Sequence, residues 1–585
     1  MRIRILVAGI SAAALLPTGV QAQQSAATPP DAGQALPSVA QASVAGQPVA
    51  VPPVTDAPPA PPAPPAEDAP DISAPAPTGA TGQASPSKLV DILNYRIEGN
   101  TVLSVMDVEK AVLPFLGPQR PVADVENARA ALQAAYREKG YETVAVEIPD
   151  QDVRGGIVQL DVIEMRVGRL RVADAKHISP ERIKNAVPSL KEGGVPNYQD
   201  VAKEMAAINR SPDRTISPTL MAGDAPGTVD VVLQVDDQSS VHGSLELNDR
   251  HSARSERLRV AASARYANLF QRGHSVGIQG QFAPEDPGQS WILSASYVAP
   301  IQGTPWTIVG YGVHSESDVA AIGGVGVLGS GNIFGLRGIY SFTTGEGTSP
   351  LQHQITAGID YKDFEENLVL GSDTAKTPIT YIPFSLAWAV SEAGDKDSFE
   401  GGIGLHFGIR GFGADERAFR DKRWNASASW HAIRLNTAYR HRFAEDWSAS
   451  ARIDAQFAGM PLISNEQFSA GGLESVRGYL ESQELGDDGV SGQFQIETPS
   501  LIPLSKDQEL RLFAFADGAL LRIYDPLSTQ AARIDLASTG AGLRLRFLER
   551  FNASVLMATP LLNKGGATFD IDRKFRIQFR LWTEF

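Results

Sequence analysis

The chain has 585 residues, no cysteine and a formal net charge of −15. That length has room for several domains. The lack of thiols excludes disulfides, thiolate metal sites and thiol catalysis, and the acidic balance speaks against a nucleic-acid partner, which would need a basic stripe.

Residues 1–22 read as an export signal. Arg2 and Arg4 give a basic start, residues 5–16 an apolar run, and Val20-Gln21-Ala22 a short exit, so cleavage after Ala22 is expected. The run is short for the ~20 residues of a membrane-spanning helix. No later segment offers such a helix, so a membrane location would require a barrel. Residues 23–88 are dominated by Pro, Ala, Gly, Ser and Thr. They cannot bury enough apolar surface to offset ordering entropy, and read as a disordered, Pro-rich spacer. Within them only 31–47 is a weak helix candidate.

Residues 89–238 read as α+β, twice over. In the first unit, 89–166, a strand at 94–100 precedes a helix at 105–113. Ser104 is its N-cap, and Val105, Val108 and Val112 share one side. Pro114 and Pro118 end it. A second helix, 124–139, carries Val125, Ala128, Leu132, Ala135 and Tyr136 at helical spacing and stops at Gly140. Strands at 143–148 and 157–162 close the unit, giving the order β-α-α-β-β. The second unit, 167–238, repeats it: a strand at 169–172, a helix started by Ser179-Pro180, a helix at 197–209, and strands at 215–221 and 228–235. Arg182 stands where a capping box would need an acid or amide.

From about 239 to 585 helical periods vanish. Runs of about ten residues alternate apolar and polar, the pattern of a transmembrane β-barrel. In 574–585, Phe575, Ile577, Phe579, Leu581, Thr583 and Phe585 alternate with Arg576, Gln578, Arg580, Trp582 and Glu584. Trp447 to Phe457 and Leu543 to Phe547 do the same. A soluble sandwich would have to desolvate the arginines of the polar face at high cost. The span supplies about 16 antiparallel strands of ~9–11 residues, wide enough for a channel.

With these features the chain resembles the two-partner secretion transporters (TpsB; haemolysin activator and filamentous haemagglutinin transporters), which carry two periplasmic β-α-α-β-β units, called POTRA domains, before a 16-stranded barrel. The most specific stretch is Phe468-Ser-Ala-Gly-Gly-Leu-Glu-Ser-Val-Arg-Gly-Tyr479. Its core, Val476, Arg477, Gly478 and Tyr479, matches the signature tetrapeptide of a long loop that folds back into the pore. That loop would span 458–489, a length that without structure of its own is usually functional or disordered. In the family a Phe-x-Asp-x-Gly strand faces the lumen and its Asp meets the loop Arg. Phe515 and Asp517 fit this pattern, and the glycine falls at Gly518 rather than 519. A bidentate Arg477–Asp517 pair in a partly wet lumen would contribute about 1 kcal/mol. Asn209 to Arg214 resembles a loop of the second POTRA domain, residues 266–274, 283–286 and 538–544 resemble barrel strands, and Phe585 resembles the C-terminal barrel-assembly signal.

The resemblance implies an outer-membrane pore with its POTRA domains in the periplasm. Its partner would be a secreted exoprotein of adhesin or cytolysin type, captured in an extended state. Barrel assembly machinery would act during biogenesis, within outer-membrane lipid. No cofactor, metal or catalytic residue is expected. The chain has no phosphate-cradling Gly-x-x-x-x-Gly-Lys-Ser/Thr loop. His274, His314, His353, His406, His431 and His441 are scattered and read as lumen or loop residues. The alternative is an assembly or insertase factor of the same superfamily, which usually carries more POTRA domains.

Overall fold

A computed structural model describes residues 89–585 apart from single residues and short loop stretches, the longest at 502–507 and 567–573. The export signal, the Pro-rich spacer and the helix candidate at 31–47 lie outside the described residues.

The first unit runs β1 (Leu89–Ile92), β2 (Asn94–Glu98), α1 (Val105–Val112), β3 (Gly117–Pro121), α2 (Ala123–Glu138), β4 (Val144–Glu147) and β5 (Ile157–Glu164). β5 is central, parallel to β2 and antiparallel to β4. Ser104 caps α1 by accepting the Asp107 N–H at 3.2 Å. α2 buries Val125, Ala128, Leu132 and Tyr136 in one stripe. Two readings need correction. Val105 is 71% exposed, because periodicity marks a helix face but not how far its neighbour covers it. β1 and β3 form an additional ribbon, Leu89↔Pro121 and Val90↔Arg120. Pro118, expected to help end the first helix, lies in this ribbon together with Pro121, because an edge strand tolerates a missing N–H.

The second unit runs β6 (Arg166–Ala173), α3 (Pro180–Ala186), α4 (Tyr198–Ile208), β7 (Arg214–Ala222) and β8 (Thr228–Asp237). β8 is central, parallel to β6 and antiparallel to β7, the topology of the first unit. Ser179 makes no side-chain cap bond, consistent with the incomplete box, whereas Asn197 caps α4 through the Gln199 and Asp200 N–H groups. The two units meet end to end. Tyr198 N–H donates to Gly140 O at 2.8 Å and Asn197 Nδ2 to Lys139 O at 2.8 Å, so the carbonyl end of α2 meets the amide end of α4. Gly140 has φ +90°, and a Cβ there would lie 2.5 Å from Asn197 Oδ1.

The remainder is a closed antiparallel barrel of 16 strands, from β9 (Val241–Asn248) to the last strand, Arg576–Glu584, which pairs with β9. Ile379–Tyr381 and Phe384–Ala393 both pair with Leu351–Glu365 and form one strand broken at Pro383. The alternation is as expected: Ile577 and Leu581 are 52% and 43% exposed on the outer face, while Gln578 and Trp582 are 4% and 6% exposed inside. Outer rings link into a belt, Trp306–Tyr340 at 5.2 Å, Phe342–His353 at 4.8 Å and His353–Trp388 at 6.0 Å. Such belts sit at membrane interfaces. This corrects the histidine reading: by strand alternation, of the six only His406 faces the lumen, and the others lie on the outer face near strand ends.

Candidate functional site in the barrel lumen

The stretch between strands Ser448–Phe457 and Asp488–Glu497 does not trail into solvent. It carries a short 3-10 turn, Ser464–Glu466, and a small hairpin, Phe468–Ala470 with Glu484–Gly486. Its tip lies against the barrel wall, where Val476 and Tyr479 are buried in an apolar cluster with Ala519, Leu521, Ile534 and Leu536.

Strand Glu509–Arg522 supplies the receptor. Its pleat turns Phe513, Phe515, Asp517, Ala519 and Leu521 inward. Arg477 donates to Asp517 three times: Nε to Oδ2 at 2.8 Å, Nη2 to Oδ1 at 2.8 Å, and the backbone N–H to Oδ2 at 3.0 Å. Nη1 donates to Gln495 Oε1 at 2.7 Å, and the guanidinium lies 3.7 Å over the Phe515 ring. The Arg477 side chain is 8% exposed and that of Asp517 0%, so the pair is dry rather than partly wet. Breaking a buried pair costs about 3–5 kcal/mol, since one charge is left uncompensated.

Gly518 is a correction. It points outward, away from the loop, and the inward position is taken by Ala519, packed against Val476 and Tyr479. The displaced glycine therefore leaves a methyl group at the contact and does not alter the ion pair.

The other two motif residues reach further strands. Gly478, with φ +94°, donates its N–H to Gln578 Oε1 at 3.2 Å. The Tyr479 hydroxyl lies 2.9 Å from Ala537 O and 2.6 Å from Leu562 O. These carbonyls flank a break in register between Ala537 and Ser538, opposite Leu562 and Pro560. The bulge and the missing proline N–H interrupt the ladder, and the hydroxyl supplies a donor there.

Several loop contacts carry no local sequence signal. Glu466, 2% exposed, takes Lys362 Nζ at 2.6 Å, Tyr381 OH at 2.7 Å and Arg434 Nη2 at 3.2 Å. Asp487 accepts from Arg423, from Leu462 N at 2.9 Å and from Tyr524 N at 2.8 Å. Arg423 follows helix α5 (Glu416–Lys422), whose Phe419 packs edge-on to Tyr381 at 5.5 Å. These partners lie on separate strands and loops, so only closure of the barrel brings them together.

Two expected residues lie elsewhere. Asn209 exchanges both bonds with the Ile216 backbone at 2.8 Å, and Arg214 Nε donates to Ile208 O at 2.8 Å. They fix the entry to β7. Phe585 closes the seam by exchanging backbone bonds with Gly243 at 2.8 and 3.0 Å.

Known proteins resemble this chain in sequence and fold. A family model described as "POTRA domain, ShlB-type" matches residues 90–164, and one described as "Haemolysin secretion/activation protein ShlB/FhaC/HecB" matches residues 365–545. The chain is 21% identical over 413 residues to the outer membrane transporter CdiB of Dickeya dadantii (strain 3937), covering 67% of this chain and 70% of that protein. It is 24% identical over 441 residues to the CdiB transporter of Escherichia coli O6:K15:H31 (strain 536 / UPEC), covering 71% and 70%. The solved structure of CdiB from Escherichia coli has a TM-score of 0.61 at 18% identity, over 87% of this chain and 93% of that one. CdiB from Acinetobacter baumannii gives 0.53 at 16% identity, over 86% and 91%. At such identity these two structures speak for the fold, and the family matches speak for the function. The chain is thus similar to the ShlB/FhaC/HecB proteins over its matched segments and is an outer-membrane transporter of the two-partner secretion type, a barrel that exports a partner exoprotein and holds its POTRA domains in the periplasm.

Proposed function

We propose that the loop bearing Arg477 is the gate of this transporter, with Arg477 as its anchor and Asp517 as its receptor. The observation that carries this is the reach of the tip: Arg477, Gly478 and Tyr479 bond to five consecutive strands, from Asp488–Glu497 to Arg576–Glu584. A loop held at so many points selects one conformation, and an exported chain must displace or bypass it.

The partner is an exoprotein of adhesin or cytolysin type that arrives extended. Both periplasmic α+β units, 89–166 and 167–238, act as POTRA domains, and an open strand edge adds a partner strand through main-chain hydrogen bonds. Asn209 and Arg214 serve this step by fixing the start of β7. With no phosphate-cradling Gly-x-x-x-x-Gly-Lys-Ser/Thr loop in the sequence, transport runs on differential binding and on folding of the partner outside. Phe585 is read by the barrel assembly machinery during biogenesis.

The test is Arg477→Ala, compared with the parent at equal outer-membrane level. Loss of the partner from the medium is expected; parental secretion would sink the gate assignment. Deleting the gene and comparing surface, medium and outer-membrane proteomes identifies the partner. A joint fall of many barrels would instead mark an assembly factor.

A further inference from the structure

The gate loop is acidic. Between Ala458 and Asp487 it carries Glu466, Glu474, Glu481, Glu484 and Asp487 against the single cation Arg477. The groups that receive it are cationic. Glu466 and Asp487 meet Lys362, Arg434 and Arg423 in dry contacts. Glu474 is held differently: it lies 3.5 Å from Arg250 and 3.4 Å from Arg452, and its side chain is 62% exposed. Arg250 also reaches Glu481 at 3.2 Å. Arg452 points inward from strand Ser448–Phe457 and Arg250 from the turn after β9, so the two cations approach Glu474 from different sides of the lumen. Arg452 has a second acid beside it, Asp454 at 2.8 Å, whereas the ion pairs of Arg250 among the described residues are to the loop acids Glu474 and Glu481, with Glu246 of β9 acting on it from the wall.

We propose that Arg250 and Arg452 form a binding site for acidic side chains of the exported polypeptide, and that Glu474 and Glu481 of the gate loop occupy it at rest. The inference rests on the gate reading. When the loop moves, both guanidiniums lose their loop carboxylates inside a confined channel, where an unpaired charge is less well solvated than in bulk water. The incoming chain supplies replacements one Asp or Glu at a time. Because the Glu474 carboxylate is open to the lumen, its two pairs are weak enough to exchange, which a transit site requires, while the more enclosed Glu481 pair with Arg250 leaves with the loop. The loop thus stands in for the cargo, and the site favours extended segments that carry carboxylates.

The test is single-channel recording of the full-length protein in a planar bilayer. Glycine-alternating peptides of glutamate, glutamine or lysine are added on the POTRA side. The glutamate peptide should block with a dwell time about tenfold longer than the lysine peptide, equivalent to about 1.4 kcal/mol. Arg250→Gln and Arg452→Gln should shorten that dwell toward the glutamine peptide's value, and Glu474→Gln, which removes the resting occupant, should lengthen it. Equal or stronger block by the lysine peptide overturns the proposal, as does no block by any peptide or an unchanged glutamate dwell in both arginine variants. If either variant fails to assemble, the three peptides on the parent channel still decide. Secretion of the partner is scored separately in the medium, so failure of the acidic site is distinguishable from failure of the gate.

Discussion

Arg477 grips Asp517 with Nε and Nη2, each 2.8 Å from a different carboxylate oxygen, while its guanidinium carbon sits over the Phe515 ring, 3.7 Å from the centroid. Charge alone does not describe this contact. It combines a planar fork, a stacked ring and a third donor to Gln495.

Arg477→Lys should therefore behave much more like Arg477→Ala than like the parent. A lysine keeps the charge but cannot bridge both oxygens, reach Gln495 and stack at once. Asp517→Asn should be comparably damaging, because it leaves a buried guanidinium without its counter-charge, at a cost of about 3–5 kcal/mol. Secreted partner at matched barrel level measures both, and near-parental export by Arg477→Lys would show that only charge matters.

Gly478→Ala tests the close approach of the tip. Gly478 has φ +94°, and a Cβ there would sit 3.0 Å from Ala558 Cβ. The backbone strain is about 1–2 kcal/mol before any clash. The barrel should assemble normally, and the loop should become more accessible to protease added to intact cells. Unchanged protection would mean that the wall yields to the methyl group.

Glu466→Gln addresses the other end of the loop. The substitution removes the carboxylate that Lys362, Arg434 and Tyr381 converge on. Two buried cations then face a neutral amide, a loss of about 3–5 kcal/mol. The temperature at which the folded barrel loses its compact mobility on SDS gels should fall clearly. Glu474→Gln, in a wet pair, should leave it nearly unchanged.

Asp237, at the end of β8, offers a pH test outside the membrane. Burial raises the pKa of its carboxyl, but the backbone N–H groups of His177, Lys176 and Ile178 outweigh burial and hold it below the ordinary range. A carboxyl depressed in the folded state contributes stability that is fully present above its unfolded pKa, about 4. That stability is lost as pH falls through the lower folded value. Hydrogen-exchange protection of the Lys176, His177 and Ile178 amides, corrected for intrinsic rates, should hold at neutral pH and drop only below about pH 4. Protection that persists to still lower pH would show that the carboxylate is not what holds this turn.

The sequence by itself determined much of this protein, because its strongest signals are local and periodic. Alternation at period 2 in Arg576–Glu584 sets which side meets lipid and which meets the lumen, whatever the neighbouring strand. Helical spacing in α2 fixes Val125, Ala128, Leu132 and Tyr136 as one buried stripe. The tetrapeptide Val476 to Tyr479 marks the loop because its chemistry is compact in the chain. Tertiary structure alone decided where that loop goes and what holds it. Glu466 meets Lys362 across 104 positions, and Glu481 meets Arg250 across 231. No local pattern encodes such partners. The strands on which Lys362 and Arg434 lie specify only that polar groups face inward, and strand register then decides which polar group meets which. The same register placed Ala519, not Gly518, beneath the tip, and left Arg477 and Asp517 dry. Burial depends on what packs over a pair, and here the cover comes from five strands joined only when the barrel closes.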